Sequence, residues 1–493
     1  MASVKVDVNA ALENAKKLIE TEGNLSSAVK AMFALLISII EMLSGKMSLT
    51  SRNSSKPPAS DPNRPKKTRS SGKRKPGGQK GHQGTTLKPV ENPDQIVDLK
   101  VDRGVLPEGN YQSIGYEARQ VVELTIERTI IEYRAEIIRG RHGKRYQAPF
   151  PQGIEKPIQY GRSVKAHASY LSSFQLLPYE RLADYFKGQL KLSVSQGTLF
   201  TFNQEAYNRL TAWDFAGKAR AALITSSMAN ADETGINIAG QKRWLHCVRN
   251  PLWTYFMPHA KRGSQAMDAM GILPYFRGVL VHDHWKPYYT YHQCLHSLCN
   301  AHHLRELTWV AENTPHQWAQ LMIDLLLEIN KAVKESPTAT LSEIQQTQYI
   351  ERYRKILAEG AKESLPPQQK TEKKKGRLKK TKDRNLLERL IDYEADVLRF
   401  MTVSDVPFTN NGGENDIRMT KVQQKISGCY RSEGGARIFC MVRSYLLTCQ
   451  KHDISPTEAM TCLFADDMPE FLKNQSTEIP PNPLWCEIPN KAA

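Results

Sequence analysis

The chain has 493 residues, 68 lysines and arginines against 51 acids, a formal net charge of +17 and a pI near 9.3. That length exceeds one compact core and predicts three to five structural units, while so large a cationic excess points to a polyanionic partner, nucleic acid ahead of anionic membrane. Composition also argues against a membrane-spanning or secreted protein. The longest apolar stretch, Ala31 to Ile40, is too short to span and runs into Glu41, the polar stretch Met1 to Glu22 lacks a signal-peptide core, and no two of the eight cysteines form a C-x-x-C pair. The expected location is the cytoplasm, at the nucleoid.

Residues 1–50 read as two helices. From Leu25 onward, Ala28, Met32, Leu35, Leu36, Ile39, Met42 and Leu43 keep helical spacing and form a stripe too broad for a lone helix to hide. Self-association is the preferred reading, with packing on the chain's own later domain as the alternative. Residues 51–92 form a linker rich in Pro, Ser, Gly, Lys and Arg, in which ten basic residues between Arg52 and Lys80 face one acid, Asp61. Its densest run is Lys73, Arg74 and Lys75. Such a segment buries too little apolar surface to fold alone, so it either orders along a DNA backbone or stays a solvated tether.

In residues 93–157 the stretch ARQVVELTIERTIIEYRAEIIRG (Ala118 to Gly140) alternates and predicts two or three antiparallel strands in a small β-rich module. Residues 158–222 are helical. Leu177 to Leu210 reads as helix, turn, helix, with Ser193 or Ser195 capping a second helix that presents Gln196, Thr198 and Asn203. Polar side chains there are placed as in a DNA-reading helix-turn-helix, and a plain helical hairpin is the alternative.

Residues 223–312 read as a strand pair, Gly235 to Ala239 and Arg243 to Val248, a third strand Leu252 to Met257, a helix, a buried strand Gly278 to Val281, a short segment Ser297 to Ala301 and a helix. Asp232 ends a small-and-apolar run before the strand pair, and Asp283 lies just past the buried strand. Residues 313–400 show helical periodicity, as in Trp318 to Glu335 and Leu386 to Phe400, on either side of a basic link, and read as a helical insertion. In residues 401–452, Glu414 heads a basic helix, with Thr409, Asn410 and Asn411 as N-cap candidates and Gly412 and Gly413 permitting a sharp turn. Arg418, Lys421 and Lys425 follow at i+4, i+7 and i+11, along one face suited to a phosphate backbone or simply solvated. Gly434 to Cys449 reads as a core helix. In residues 453–493, Ser455-Pro456-Thr457-Glu458 has the form of a capping box before a short last helix and tail.

Two acids at strand ends and a third on a later helix are what a two-metal phosphoryl-transfer site requires, because hard cations take oxygen ligands and anionic ones offset their charge. Glu233 is an alternative ligand, although strand alternation turns it to the opposite face. A zinc site drawn from His292, Cys294, His296, Cys299, His302 or His303 is a further alternative, with spacings that match no standard finger.

The motifs ADET around Asp232, HDHWKPY around Asp283, CNAHHLREL (Cys299 to Leu307) and FTNNGGENDIRMTKVQQKISG (Phe408 to Gly428) together resemble the IS66-type DDE transposases of bacterial insertion sequences. The resemblance extends through NSSKPPASDP (Asn53 to Pro62), RKPGGQKGHQGTT (Arg74 to Thr86) and LPYERLADYF (Leu177 to Phe186), nearly the whole chain in order. It implies a multidomain α/β protein with a ribonuclease H-like core, in which Asp232, Asp283 and Glu414 hold two Mg²⁺ or Mn²⁺ ions and catalyse cleavage at element ends and strand transfer into target DNA. It further implies double-stranded DNA as partner, a homo-oligomer and accessory proteins of the same element. Cys299 and His302 resemble the Cys-x-x-His pair of such cores, and with Asn411 are expected to support the site. Arg418, Lys421 and Lys425 would hold strand phosphates. The chain departs from relatives whose small module binds zinc through cysteine pairs, since no cysteine precedes Cys247, and in the Gly412-Gly413 pair before the glutamate. A repurposed, inactive sequence-specific DNA-binding protein and a metal-dependent nuclease of the same fold are the other two readings.

Overall fold

A computed structural model describes residues 8–22, 25–47, 49–50, 52–54, 61, 87–366 and 380–478. Lys73, Arg74 and Lys75, most of the basic linker and most of the basic link within the insertion lie outside the described residues. The chain forms two units, one of Met1–Arg64, Gly153–Lys187 and Ser193–Ala493, the other of Pro65–Gln152 and Gly188–Leu192.

In the smaller unit, regular pairing among the described residues is confined to one antiparallel hairpin, β1 (Ile137–Arg139) with β2 (Arg145–Gln147). The alternating stretch from Ala118 does not supply the two or three strands expected of it. Val121, Val122, Leu124 and Ile130 are all exposed, on both phases of the alternation. A strand needs a partner edge and a face to bury against as well as a period of two. What closes this segment instead is the Gln120 amide, which donates to the Val90 carbonyl at 2.7 Å and accepts from its N–H at 2.8 Å.

The larger unit opens with the two expected helices, α1 (Val8–Thr21) and α2 (Ser27–Met47). On α2, Ile37 is buried while Met32, Leu35, Leu36, Ile39, Met42 and Leu43 remain exposed, so the apolar stripe is left largely uncovered in the single chain. Four helices follow, α3 (Arg162–Ser173), α4 (Tyr179–Leu190), α5 (Gln196–Ala212) and α6 (Phe215–Ile224). Ser195 caps α5, its hydroxyl accepting from the Thr198 N–H at 3.1 Å, and Gln196 stands exposed at the helix start. Asn203 does not join it. It is 2% exposed, its amide donates to the hydroxyls of Ser172 and Tyr179 at 2.9 and 3.0 Å, and its carbonyl accepts from Ser173 at 3.1 Å. Two turns beyond Gln196 the same helix face has entered the interface with α3 and α4, so Asn203 is a structural amide rather than a base-reading one.

Five strands, β3 (Met228–Ile238), β4 (Gln241–Arg249), β5 (Thr254–His259), β6 (Val279–His282) and β7 (Leu295–Leu298), form a mixed sheet in the order β5-β4-β3-β6-β7. The pairs β5–β4 and β4–β3 are antiparallel, and β6 and β7 run parallel to β3. Helix α7 (Ser264–Met270) lies between β5 and β6 in the chain. The small residues 229–231 have weak β propensity, yet pairing with both β4 and β6 draws them into β3, so Asp232 lies inside a long strand rather than ahead of a strand pair.

Both faces of the sheet are covered. Ala229, Ala231 and Leu280 face a core with Phe215, Trp253, Tyr445 and Phe464, built by α3, α5 and α6 with α14 (Glu433–Lys451) and α15 (Pro456–Ala465). Met228, Val279, Val281 and Leu298 face a second core with Trp318, Leu326, Tyr353 and Leu387. That core is carried by α8 (Asn300–Asn313) together with α9 (Trp318–Glu335), α10 (Glu343–Glu363), α11 (Lys382–Asp392) and α12 (Glu394–Leu398), the last four within the stretch 313–400 read as helical. The alternation of β3 and β6 residues between the two cores is the period-two signature of a strand buried on both sides. Helix α13 (Asn411–Ser427) packs against β3 and β4, and α16 (Glu470–Lys473) is the last described helix. Of the expected capping box the serine half forms, with Pro456 in the first turn and Ser455 accepting from the Glu458 N–H at 3.2 Å. Among the described residues no helix is long and apolar enough to cross a membrane.

Removing the buried amide in Asn203→Ala leaves three hydroxyls without their partner. The urea midpoint is expected to fall by the equivalent of about 1–3 kcal/mol, with affinity for DNA unchanged in the folded protein by electrophoretic mobility shift.

Candidate active site

The strand register aligns the site. β3 and β6 pair with Met228 opposite Val279 and Asn230 opposite Val281, an offset of 51 positions (279 − 228). Asp232 and Asp283 differ by the same 51, so carrying the register past the last paired residues sets them level on neighbouring strands, which lie about 4.8 Å apart. β6 and β7 pair with His282 opposite Leu298, an offset of 16 that also separates Asp283 from Cys299. Asp232, inside β3, therefore lines up in a row with Asp283 and Cys299, which sit just past the carboxyl ends of β6 and β7.

Helix α13 brings Glu414 to this row. Asn410 is its N-cap residue, but the Asn410 side chain makes no capping bond. It donates instead to the Ala231 carbonyl at 2.9 Å and accepts from the Asn230 amide at 2.8 Å, while the Asn410 N–H reaches Cys299 Sγ at 3.1 Å. Farther along, the Lys421 ammonium donates to the Gly235 carbonyl. Past the helix, the Tyr430 N–H donates to Asn237 O at 3.0 Å and Tyr430 O accepts from Ala239 N–H at 2.8 Å. The helix is thus stitched to β3 at its start, middle and end.

The glycine pair has a steric cause. A Cβ on Gly412 would overlap the Arg249 guanidinium, and one on Gly413 would lie 3.2 Å from Asn410 Oδ1 and 3.4 Å from Asp232 Cβ. Arg249 has little room to yield, because it pairs with Asp416 at 3.2 Å, and Asp416 also holds Lys451 at 3.2 Å. Close approach of helix to strand requires these glycines.

The acids act on one another. Burial raises the Asp232 carboxyl well above the usual aspartate range, and the charges of Glu233, Asp283 and Glu414 add to the rise. Burial also raises Asp283, against the Trp285 N–H that donates to it at 3.0 Å and the nearby Arg262. Glu414 is raised by burial, with Arg305 opposing and Asp283 reinforcing the shift. Asp232 senses both other acids and Glu414 senses Asp283, and recessed carboxylates so placed favour a cation among them.

Glu233 belongs to this field. Alternation does part its carboxylate from that of Asp232, toward Arg262, which donates to it at 3.0 and 2.6 Å, and the Tyr288 hydroxyl at 2.5 Å. It nevertheless exerts the largest like-charge effect on Asp232, and it senses Asp283. Arg262 in turn lies over the rings of Trp285 and Trp244, at 4.2 and 4.9 Å from their centres. Nothing in the sequence singles out Arg262, whereas Trp285 and Tyr288 stand inside the HDHWKPY motif.

The remaining expected residues divide. Asn411 is exposed in the first turn of α13, and the contacts expected of it belong to Asn410. Arg418 and Lys425 are exposed on the same helix, while Lys421 is engaged with β3. The six-residue zinc alternative is not assembled. The Cys294 thiol donates to Tyr291 O at 3.2 Å, His296 faces His282 at 3.0 Å and His303 faces Asn300 at 3.0 Å. Two of the six do converge. Cys299 Sγ and His302 Nδ1 lie 4.0 and 3.9 Å from Glu414 Oε1. Among the described residues these three are the one set of metal-ligating side chains whose donor atoms all lie within 4.8 Å of one another; the three carboxylates do not approach that closely as a set. Burial, helped by Arg305 and Arg389, lowers His302 to about 4 and so keeps it neutral.

The fold is mixed α/β about a central sheet, with Asp232 inside β3, Asp283 just past the parallel strand β6 and Glu414 on α13. The family model described as Transposase IS66 family matches residues 157–438, more than half of the chain, and the chain belongs to that family. It is thereby a transposase-type, DNA-processing protein, with DNA as its substrate. Residues 7–88 match a family of unknown function (DUF6444). No curated protein matches the chain.

Because folding raises the Asp232 pKa, the protonated form is the one folding favours. Its contribution is present below the ordinary value of 3.8 and is lost as pH rises through the folded value. Asp232→Asn is therefore expected to melt higher than wild type in EDTA at pH 8, with the gap closing as pH falls toward the ordinary aspartate range. Equal melting temperatures at pH 8 by scanning fluorimetry would contradict the raised pKa.

Proposed function

We propose that the chain is a DDE transposase with a ribonuclease H-like core, which cleaves DNA at the ends of its insertion sequence and joins them to target DNA. The observation that carries this reading is the shared level of Asp232 and Asp283 on β3 and β6, with Glu414 delivered across them by α13. The strand order, three antiparallel strands followed by two parallel to the first, supports the core assignment. Oxygen donors alone, recessed and mutually repelling, fit hard divalent ions such as Mg²⁺ or Mn²⁺, two per site. When bound, such a pair supplies the Lewis acidity that activates the attacking oxygen and stabilises the leaving one.

The protein's own groups do the positioning. The sheet fixes Asp232 and Asp283, Asn410 fixes the start of the helix that bears Glu414, and Arg262, clamped by Glu233 and stacked on Trp285, walls the site with a cation. Arg418 and Lys425 extend a positive face along α13 for strand phosphates. Gln196 and Thr198 at the start of α5, and Lys73, Arg74 and Lys75 in the linker, add DNA contacts. The uncovered stripe of α2 joins copies into a homo-oligomer, and proteins encoded by the same element assist at the nucleoid.

With duplexes that carry the inverted repeats flanking the gene, wild type is expected to cleave and join in Mg²⁺. Asp232→Asn, Asp283→Asn and Glu414→Gln should each lose at least about 100-fold in rate while still shifting the duplex in a gel. Cleavage without joining would favour a nuclease, and binding without cleavage by wild type a repurposed DNA-binding protein. Leu35→Glu with Leu36→Glu in the full chain should lower the mass seen by light scattering to that of one chain; an unchanged mass would move the oligomer interface elsewhere.

A further inference from the structure

The catalytic reading gives the two side chains beside Glu414, Cys299 and His302, no more than a supporting place. Cys299 ends the row just past β7 and is the N-cap residue of α8, and His302 follows in the first turn, its N–H bonded to Cys299 O at 3.1 Å. Spacing of three places both side chains on one side of the helix start. The His302 Nδ1 atom is withdrawn from water and has no hydrogen-bond partner. It faces Glu414 Oε1 at 3.9 Å, and Cys299 Sγ lies 4.0 Å from the same oxygen. The sulfur is aimed by the Asn410 N–H, which donates to it at 3.1 Å, the kind of outer bond that orients a metal ligand and here offsets part of the rise that burial gives the thiol.

We infer that Cys299 Sγ, His302 Nδ1 and Glu414 Oε1 form a three-ligand site for a thiophilic divalent cation of the zinc class, and that its occupation withdraws Glu414 from the hard-cation centre of Asp232 and Asp283. The donor chemistry selects the ion. A sulfur, an imidazole nitrogen and a carboxylate oxygen suit Zn²⁺ or Co²⁺, whereas Mg²⁺ takes oxygen ligands. The geometry is close to that required. The three donor atoms lie within 4.8 Å of one another, and tetrahedral bonds of about 2.0–2.3 Å set donor atoms roughly 3.5 Å apart, so a small side-chain contraction closes the site. Three protein ligands leave the fourth position to water. On binding, the Cys299 thiol loses its proton to solvent as the sulfur–metal bond forms, and the ion stays divalent throughout.

Glu414 Oε1 is the shared atom. Drawn toward Cys299 and His302, it no longer faces Asp232 and Asp283, so a soft ion on one side empties the hard-ion site on the other. This second clause rests on the proposed catalytic role of Glu414. The site itself stands on the Cys299, His302 and Glu414 geometry alone.

The full-length, metal-free protein titrated with Co²⁺ should develop a near-ultraviolet thiolate-to-cobalt absorption that saturates at one equivalent and is displaced by Zn²⁺. Cys299→Ser should lose the band, His302→Gln and Glu414→Gln should weaken Co²⁺ binding at least tenfold, and Asp232→Asn should bind within twofold of wild type. Absence of the band in wild type, or a band that survives Cys299→Ser, would overturn the site. Should Cys299→Ser fail to fold by circular dichroism, His302→Gln decides, and wild-type affinity there would overturn it equally. For the coupling, Mn²⁺ bound to wild type and followed by electron paramagnetic resonance should be released by one equivalent of Zn²⁺, and Cys299→Ser should need at least tenfold more. Mn²⁺ retained at saturating Zn²⁺ would refute the coupling. Failure of wild type to bind Mn²⁺ at all would instead refute the catalytic reading and leave the cobalt result standing.

Discussion

The parallel pairing of β3 with β6 is the constraint on which the rest of the site depends. Side chains in a strand alternate faces, so a slip of one residue in that register would turn Asp232 away from Asp283 and toward the opposite core. The register is held from both sides. Ala229, Ala231 and Leu280 must meet the Phe215 and Tyr445 core while Met228, Val279 and Val281 meet the Trp318 core. Two-sided burial leaves no alternative pairing that keeps both sets of apolar residues out of water, and the acids inherit their alignment from it.

Against this rigid edge, α13 is held by polar contacts. Asn410 ties the Ala231 carbonyl, the Asn230 amide and Cys299 to the helix start, and the glycines at 412 and 413 remove the Cβ atoms that would hold the helix off. A helix end so close to a strand end leaves little space for solvent, which raises the pKa of each carboxylate there. Asp416 on the same helix bears the opposite character, since Arg249 of β4 and Lys451 of α14 both pair with it. One helix thus carries a paired anchor and, two residues away, an acid that burial keeps raised despite Arg305. That contrast separates a structural ion pair from a group kept available for a ligand.

Glu233 and Arg262 extend the same logic. A carboxylate with only 2% of its side chain exposed is tolerable near two other acids, Asp232 and Asp283, because a guanidinium and a phenol bind it. The Arg262 cation is itself sandwiched against two indoles. The wall of the site is therefore assembled from β3, β4, the segment after β5 and the turn after β6, four places that no local pattern connects.

The sequence by itself nominated the three candidate acids and the basic helix that bears one of them, and made legible the order of strands and helices, the Ser455 cap, Ser195 as one of two candidate caps, and the helices expected at 318–335 and 434–449. Periodicity, capping and motif spacing are local, and local chemistry decides them. Tertiary structure decided what depends on partners distant in the chain. It buried Asn203 where helical phase alone would present it, left the alternating Val121 to Ile130 stretch without a mate, and drew Asp232 into a strand through pairing on both sides. It also passed the supporting contacts from Asn411 to Asn410 and converged Cys299 and His302 on Glu414. Burial and pairing are properties of the assembled chain, because each depends on which surface another segment occupies, and a side chain's neighbours in sequence carry no record of that.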